Sequence, residues 1–194
     1  MTLDITVVIP TIPQRPHFLH DALESVKAQT LQPVEIIVEH ARDNEGPAFV
    51  RNRAVEKVTT DFIAFLDDDD WLLPDHLEKL AALQEQEDAD IVWPWFEVHG
   101  GTDPFPQHRG RQWNPQDPHQ IPITVLLRTE AFNAVGGFVQ VGDGPTDPHG
   151  NRAGEDWELW LALNEAGYKF AHTPDITWVW RHHSKNTSGL PERR

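Results

Sequence analysis

Apolar residues recur along the first ninety positions in two alternating rhythms. Ile5 to Pro10 (ITVVIP) is a short β-branched run closed by proline, and after it Phe18, Leu19, Ala22, Leu23 and Val26 fall at helical spacing from about Pro16. Val34 to Glu39 (VEIIVE) repeats the strand pattern, and Val50, Ala54, Val55 and Val58 mark a second helix. Phe62-Ile63-Ala64-Phe65-Leu66 is then an unbroken apolar run, which predicts a strand buried on both faces. Strand followed by helix, repeated in this way, predicts a parallel, right-handed, doubly wound sheet. Pro74 suits the first turn of another helix, with Leu77, Leu80, Ala81 and Gln84 down one side, and Asp90 to Trp93 (DIVW) predicts a further strand.

The pattern changes in the second half. From Pro94 to Pro122 the chain is rich in Pro, His, Gly, Gln and Trp with little periodicity, which predicts a long surface loop. Ile123 to Leu127 resumes a strand, Thr129 to Val135 a short helix and Gly136-Gly137-Phe138 a tight turn, before a second Gly/Pro/Asp-rich loop from Gln140 to Gly154. Glu155 to Ala166 (EDWELWLALNEA) predicts a helix stopped by Gly167, and Asp175 to Arg181 a Trp-rich strand running into His182-His183. The tail after Ser184 is expected to fray.

At 194 residues the chain has the length of one domain, with no internal repeat. Lys plus Arg number 16 against 31 Asp plus Glu, a net charge of -15, which disfavours a nucleic-acid surface and means that an anionic ligand needs a cation to bridge it. Cysteine is absent, so disulfides, thiolate metal sites and a thiol nucleophile are excluded. Residues 1 to 20 lack a basic segment followed by an apolar stretch, and no run approaches the ~18 apolar residues of a membrane span. A soluble, cytoplasmic protein is the expectation.

The apolar run ends at four consecutive aspartates, Asp67 to Asp70, closed off by Trp71 and Pro74. The cluster is expected at the carboxyl edge of a parallel sheet, where open α/β folds bind ligands. Like charges packed this closely repel, and a divalent cation is the usual means of holding several ionised carboxylates together. A solvated acidic turn that caps the next helix is the plainer alternative.

Taken in order, VVIPTIPQRPHFLHDALESVKAQT, VRNRAV, FIAFLDDDDWLLPDHLEKL, VGGF, GEDWELWLALNEAGYKFAH and WRHHSKNTS resemble the nucleotide-sugar glycosyltransferases of the inverting, family-two type, whose fold is termed GT-A. The resemblance implies a GT-A, Rossmann-like α/β domain over residues 1–194, with a mixed, mainly parallel sheet flanked by helices. Residues 1–93 would be the nucleotide-sugar-binding half, and 94–194 the acceptor-binding and catalytic half.

It also implies roles for particular residues. Asp67 and Asp69 match the family's Asp-x-Asp, which holds Mn²⁺ or Mg²⁺ against the donor diphosphate; Asp68 and Asp70 are candidates for ribose contact or for supporting the metal ligands. The alternative register is Asp68 and Asp70. Asp156 matches the general base that takes the acceptor hydroxyl's proton, with Glu155 beside it on the acceptor side, although an acidic pair at a helix start is also an ordinary cap. His183 matches a histidine that completes the metal shell, and of His182 and His183 one is expected to be only a surface residue.

Thr11 and Arg15 follow the first strand, where the family contacts the nucleotide, and Arg51 matches an arginine that offsets donor charge. The departure lies after the second strand. There the family's Asp-Asp-Gly-Ser carboxylate reads the base, whereas this chain has Glu39-His40-Ala41-Arg42-Asp43, with Glu39 as the substitute.

Of the eight tryptophans, Trp157, Trp160, Trp178 and Trp180 are expected in the core, while Trp93, Trp95 and Trp113 border the long loop as acceptor-site candidates. The expected partners are a nucleoside-diphosphate-sugar donor, UDP-linked in preference to GDP-linked, and a carbohydrate, glycosylated or protein acceptor. The two long loops are expected to encode the acceptor and to order when donor binds. Rival readings are a retaining GT-A transferase, a sugar-nucleotide hydrolase, and a non-catalytic nucleotide-sugar-binding or Ca²⁺-stabilised module.

Overall fold

A computed structural model of the chain describes residues 3–42, 45–115, 117, 120–139, 154–184 and 186. The second long loop (140–153), Asp43 and nearly all of the tail after Ser184 lie outside the described residues. Within them, β1 (Ile5–Thr11), α1 (Pro16–Lys27), β2 (Glu35–His40), α2 (Pro47–Val55) and β3 (Phe62–Phe65) follow the predicted alternation. Then come β4 (Trp71–Leu72), α3 (His76–Glu87), β5 (Ile91–His99), β6 (Leu126–Arg128), α4 (Thr129–Ala134), α5 (Glu155–Glu165) and β7 (Phe170–Arg181).

The seven strands form one sheet in the order β2-β1-β3-β6-β5-β7-β4. β1 pairs parallel with β2 and β3, and β5 pairs parallel with β7. β6 runs against both β3 and β5, and β4 runs against β7. Five strands therefore point one way, and their carboxyl ends share one edge. Pairing Val8 with Phe65 sets the register so that Asp68 comes level with Thr11, and pairing His99 with Arg181 delivers His182 and His183 to the same edge.

Burial on both faces explains the unbroken apolar runs. On one side Val8, Ile63 and Phe65 pack with Ala54 of α2, Phe132 of α4 and Trp160 of α5. On the other, Ile5, Val7, Ile9, Phe62 and Ala64 pack with Ala22 and Val26 of α1 and Leu77 and Leu80 of α3. Neighbours in sequence thus serve opposite layers, as the two-residue period of a strand requires.

The segment after the aspartates is fixed by side chains of α1. Ser25 Oγ accepts the Leu72 N–H (3.0 Å), while Gln29 donates to the Leu73 carbonyl (2.7 Å) and accepts the Leu77 N–H (3.0 Å). This anchoring starts α3 at His76 rather than at Pro74, and it leaves Trp71-Leu72 to pair with β7 as β4, which the sequence pattern does not predict.

The largest departure is β5. It continues from Ile91 to His99, through the stretch that the sequence assigns to a surface loop, and Trp93 and Trp95 are buried within it. Pro94 sits where the register with β7 shifts, a position at which a strand tolerates the missing N–H. No helix among the described residues is long and apolar enough to cross a membrane.

Candidate active site

The four aspartates divide their work. Asp68 turns back to β1, accepting the Thr11 hydroxyl at 2.7 Å, the Ile12 N–H at 3.4 Å and Arg15 Nη1 at 3.3 Å. Ligand oxygens of Asp67, Asp69 and Asp70 instead gather within 4.8 Å of one another. Asp70 is fixed from β7, whose Arg181 N–H donates to it at 2.8 Å. Asp69 Oδ2 meets Arg15 Nη1 at 2.6 Å and His183 Nε2 at 3.0 Å.

Burial pushes the Asp69 and Asp70 carboxyls above the usual range, and neighbouring aspartate charges push the same way. Three oxygen donors with an imidazole at their rim fit a hard divalent ion such as Mn²⁺ or Mg²⁺, whose charge would offset that repulsion.

Arg51, buried in α2, spans the gap to the second acidic pair. It donates through Nη2 to Asp67 Oδ1 (2.5 Å) and through Nη1 to Glu155 Oε1 (2.6 Å). Asp156 follows Glu155 in the first turn of α5 and accepts the Trp157 N–H at 2.8 Å. Burial drives its carboxyl up to about 7, the Glu155 charge adds to the rise, and Arg51 opposes it. A carboxyl poised near neutrality both accepts and holds a proton at physiological pH.

Thr11, Arg15, Arg51, Asp67, Asp68, Asp69, Glu155, Asp156 and His183 are thus drawn to one edge of the sheet from β1, β3, β7 and the helices beside them. His182, half-buried like His183, packs against the close-fitting Gly100 and Gly101, where an added Cβ would meet it at 2.9 and 2.7 Å.

Glu39 pairs with Pro10 near the carboxyl end of β2. It turns toward α2, with one oxygen on Arg53 Nε (2.6 Å) and the other on Lys57. The Lys57 hydrogen bond foremost, with Arg53 adding to it, holds its carboxyl below the usual range. Trp95 is part of the core, edge-on to both Trp93 and His172 at 5.2 and 4.9 Å. Trp113 is half-buried and stacks on Phe170 at 4.0 Å.

Described residues of the first long loop are held by side-chain hydrogen bonds. Trp157 Nε1 donates to the Pro115 carbonyl (3.0 Å), Trp160 Nε1 to that of Ile121 (3.3 Å), and buried Gln120 to that of Gln112 (2.8 Å).

Three contributors escaped the sequence reading. Asn52, next to Arg51, donates to the Phe138 carbonyl (2.8 Å) and accepts the Phe138 N–H (2.9 Å), clamping the turn ahead of the second loop. Asn186 accepts the His183 N–H and donates to the Arg181 carbonyl, closing the turn that carries the imidazole. Gly154 abuts Asp156, and a Cβ there would lie 2.5 Å from Oδ1. Only the Gly154-Glu155-Asp156 adjacency was visible in the sequence.

An α/β sheet with an aspartate cluster after its third strand and a separate carboxyl opening a late helix defines a glycosyltransferase-like GT-A scaffold. Residues 38–140 match the model of Glycosyl transferase family 2, and the chain belongs to that family. It is 34% identical over 133 residues to the succinoglycan biosynthesis protein ExoW of Rhizobium meliloti, a match covering 55% of this chain and 41% of that one. Against the pre-mycofactocin glycosyltransferase of Mycobacterium tuberculosis it is 29% identical over 154 residues, 72% of this chain and 31% of the other. The chain therefore spans less than half the length of these relatives.

The fold matches that of S. aureus TarS 1-349 in complex with UDP-GlcNAc, with a TM-score of 0.74 and 15% identity, over 95% of this chain and 60% of that 1-349 chain. The architecture is GT-A.

Proposed function

We propose that this chain is the catalytic domain of a metal-dependent, inverting glycosyltransferase. It moves a sugar from a nucleoside diphosphate to an acceptor hydroxyl, with residues 1–93 holding the donor and 94–194 supplying acceptor contacts and the base. One observation carries the reading: a single sheet edge gathers the Asp67–Asp69–Asp70 cluster and, separately, the near-neutral carboxyl of Asp156, so a cation site and a proton acceptor stand side by side. Family membership and the UDP-GlcNAc and UDP complexes of TarS support a nucleotide-sugar donor, UDP-linked in preference to GDP-linked.

In this reading Asp67, Asp69 and His183 hold Mn²⁺ or Mg²⁺, and the ion, when bound, offsets the charge that builds on the departing diphosphate. Thr11 and Arg15 line the nucleotide side, with Asp68 fixed between them. Asp156 accepts the proton of the acceptor hydroxyl as its oxygen bonds to the anomeric carbon; the bond from that carbon to the diphosphate oxygen breaks, and the nucleoside diphosphate leaves. Attack opposite the leaving group inverts the anomeric centre. Arg51 keeps the two acidic groups in fixed relation.

Glu39 is committed to Arg53 and Lys57, which makes it a support of the β2 end rather than a base reader. The acceptor, a carbohydrate or a glycosylated protein, meets the loop around Trp113.

A screen of UDP- and GDP-sugars against a glycan array, with the product's anomeric configuration read by NMR, tests the proposal. Inversion, abolished in Asp156→Asn while donor binding persists, is expected. Retention of configuration, or normal transfer by that variant, refutes it.

A further inference from the structure

The Asp69 oxygen that faces His183 is already engaged by a cation of the protein's own. Arg15 Nη1 lies 2.6 Å from Asp69 Oδ2 and 3.3 Å from Asp68 Oδ1, and His183 Nε2 lies 3.0 Å from the same Asp69 oxygen. A divalent ion bound by both Asp69 and His183 would sit roughly 2.0–2.6 Å from each ligand atom, against that oxygen and in the space that the guanidinium nitrogen and imidazole now share. The ion and the guanidinium would compete for that oxygen.

The other arginine of the site is placed differently. Arg51 is buried within α2 and bridges Asp67 to Glu155, away from Asp69. Arg15 stands just ahead of α1 on the turn after β1, and its side chain is 17% exposed against 5% for that of Arg51.

We propose that Arg15 is a built-in counter-cation of the Asp68–Asp69 pair, which a divalent metal must displace from Asp69 in order to bind. The inference rests on the metal-dependent reading above. Its consequence is that metal binding in the absence of nucleotide is weakened by competition with the guanidinium. The freed side chain remains at the donor edge of the sheet, where an anionic diphosphate would meet it, so metal and donor load together rather than the metal alone.

The test is isothermal titration of Mn²⁺, without nucleotide, into wild type, Arg15→Gln, Arg15→Lys and Asp69→Ala, with Lys79→Gln as a control for net charge. Lys79 lies on α3, paired with Asp75 and Asp175 away from the cluster. Arg15→Gln should bind Mn²⁺ about tenfold more tightly than wild type, the factor that corresponds to releasing one charge-assisted hydrogen bond. Arg15→Lys should stay near wild type and Lys79→Gln unchanged.

Weaker or equal Mn²⁺ binding in a folded Arg15→Gln overturns the inference, as does equal tightening in Lys79→Gln. If Arg15→Gln does not fold, tightening in Arg15→Lys equal to a full tenfold overturns it, because the retained charge should still compete. Mn²⁺ binding that persists in Asp69→Ala marks failure of the metal reading itself and is thereby told apart from failure of the role given to Arg15.

Discussion

Arg51 and Glu155 are 104 positions apart in the chain and 2.6 Å apart in the structure. Because the other guanidinium nitrogen holds Asp67, this contact ties the aspartate cluster after β3 to the first turn of α5, where Asp156 lies. The link between the aspartate cluster and the start of α5 comes from one side chain of α2.

Replacing that side chain leaves two carboxylates without their cation. Arg51→Met should destabilise the fold by about 2–3 kcal/mol, toward the lower side for a buried pair because Asp67 and Glu155 keep some contact with water. For a domain of this size that is roughly a 5–10 °C fall in the thermal midpoint. A midpoint within 1–2 °C of wild type, about the shift expected of a surface change, would show that the bridge carries little.

Asp156 gives stability a pH dependence of unusual sign. Its folded carboxyl titrates at about 7, above the ordinary unfolded value near 4, so in that window the folded state binds the extra proton. Its contribution is full below pH ~4 and is lost as pH rises toward 7, on the order of 4 kcal/mol at most. Buried His76, pulled down to about 3 chiefly by desolvation, tilts the other way, its contribution lost as pH falls below ~6.5. The signal is therefore the difference between wild type and Asp156→Asn in urea unfolding from pH 4.5 to 7.5: the variant should gain on wild type steadily as pH rises. Parallel profiles would contradict the raised affinity for the proton.

Gly154 precedes α5 with φ -74° and ψ 162°, a conformation open to any residue, so an alanine there is not strained in its backbone. Its Cβ would nevertheless press on Asp156 Oδ1 at 2.5 Å. Gly154→Ala should leave the thermal midpoint within a few degrees of wild type while kcat falls by about tenfold or more, since small displacements of a base are costly. An unaffected kcat would separate Asp156 from the chemistry.

Gly137 is the opposite case. Its φ of +73° suits glycine, and a Cβ would lie 2.7 Å from Asn52 Oδ1 and 2.9 Å from the Phe132 ring. Gly137→Ala should cost about 2 kcal/mol or more in denaturant unfolding and loosen the Asn52 clamp on Phe138. A loss under about 0.5 kcal/mol, the range of neutral surface changes, would argue against that clamp.

The sequence made the βα half legible because strands such as Ile5–Thr11 and Phe62–Phe65 are buried on both faces and read as unbroken apolar runs. It concealed the continuation of β5 beyond Trp93, since Pro94 interrupts the run at a place where the β7 register shift makes it tolerable. The two-residue β4 carries no periodicity at all and exists by virtue of β7 and the α1 side chains that hold Leu72 and Leu73.

Site residues fared similarly. Asp67 to Asp70 and Glu155-Asp156 stand out by type and position, whereas Asn52 and Asn186 act through backbone groups that no side-chain pattern announces. Glu39 could be placed at the right strand end, yet its pairing with Arg53 and Lys57 depends on which face of α2 meets β2.

On the proposed function, a nucleoside diphosphate and a divalent metal bind together at the aspartate cluster. Thermal unfolding with UDP, GDP, ADP or CDP, each with and without Mn²⁺, on wild type and Asp69→Ala, tests it most directly. A ligand at a hundred times its dissociation constant stabilises the fold by about 2.7 kcal/mol, roughly 5–10 °C here. The expected result is a shift that needs UDP and Mn²⁺ together and vanishes in Asp69→Ala. No response to any nucleotide, or a shift of equal size in the variant, would contradict it.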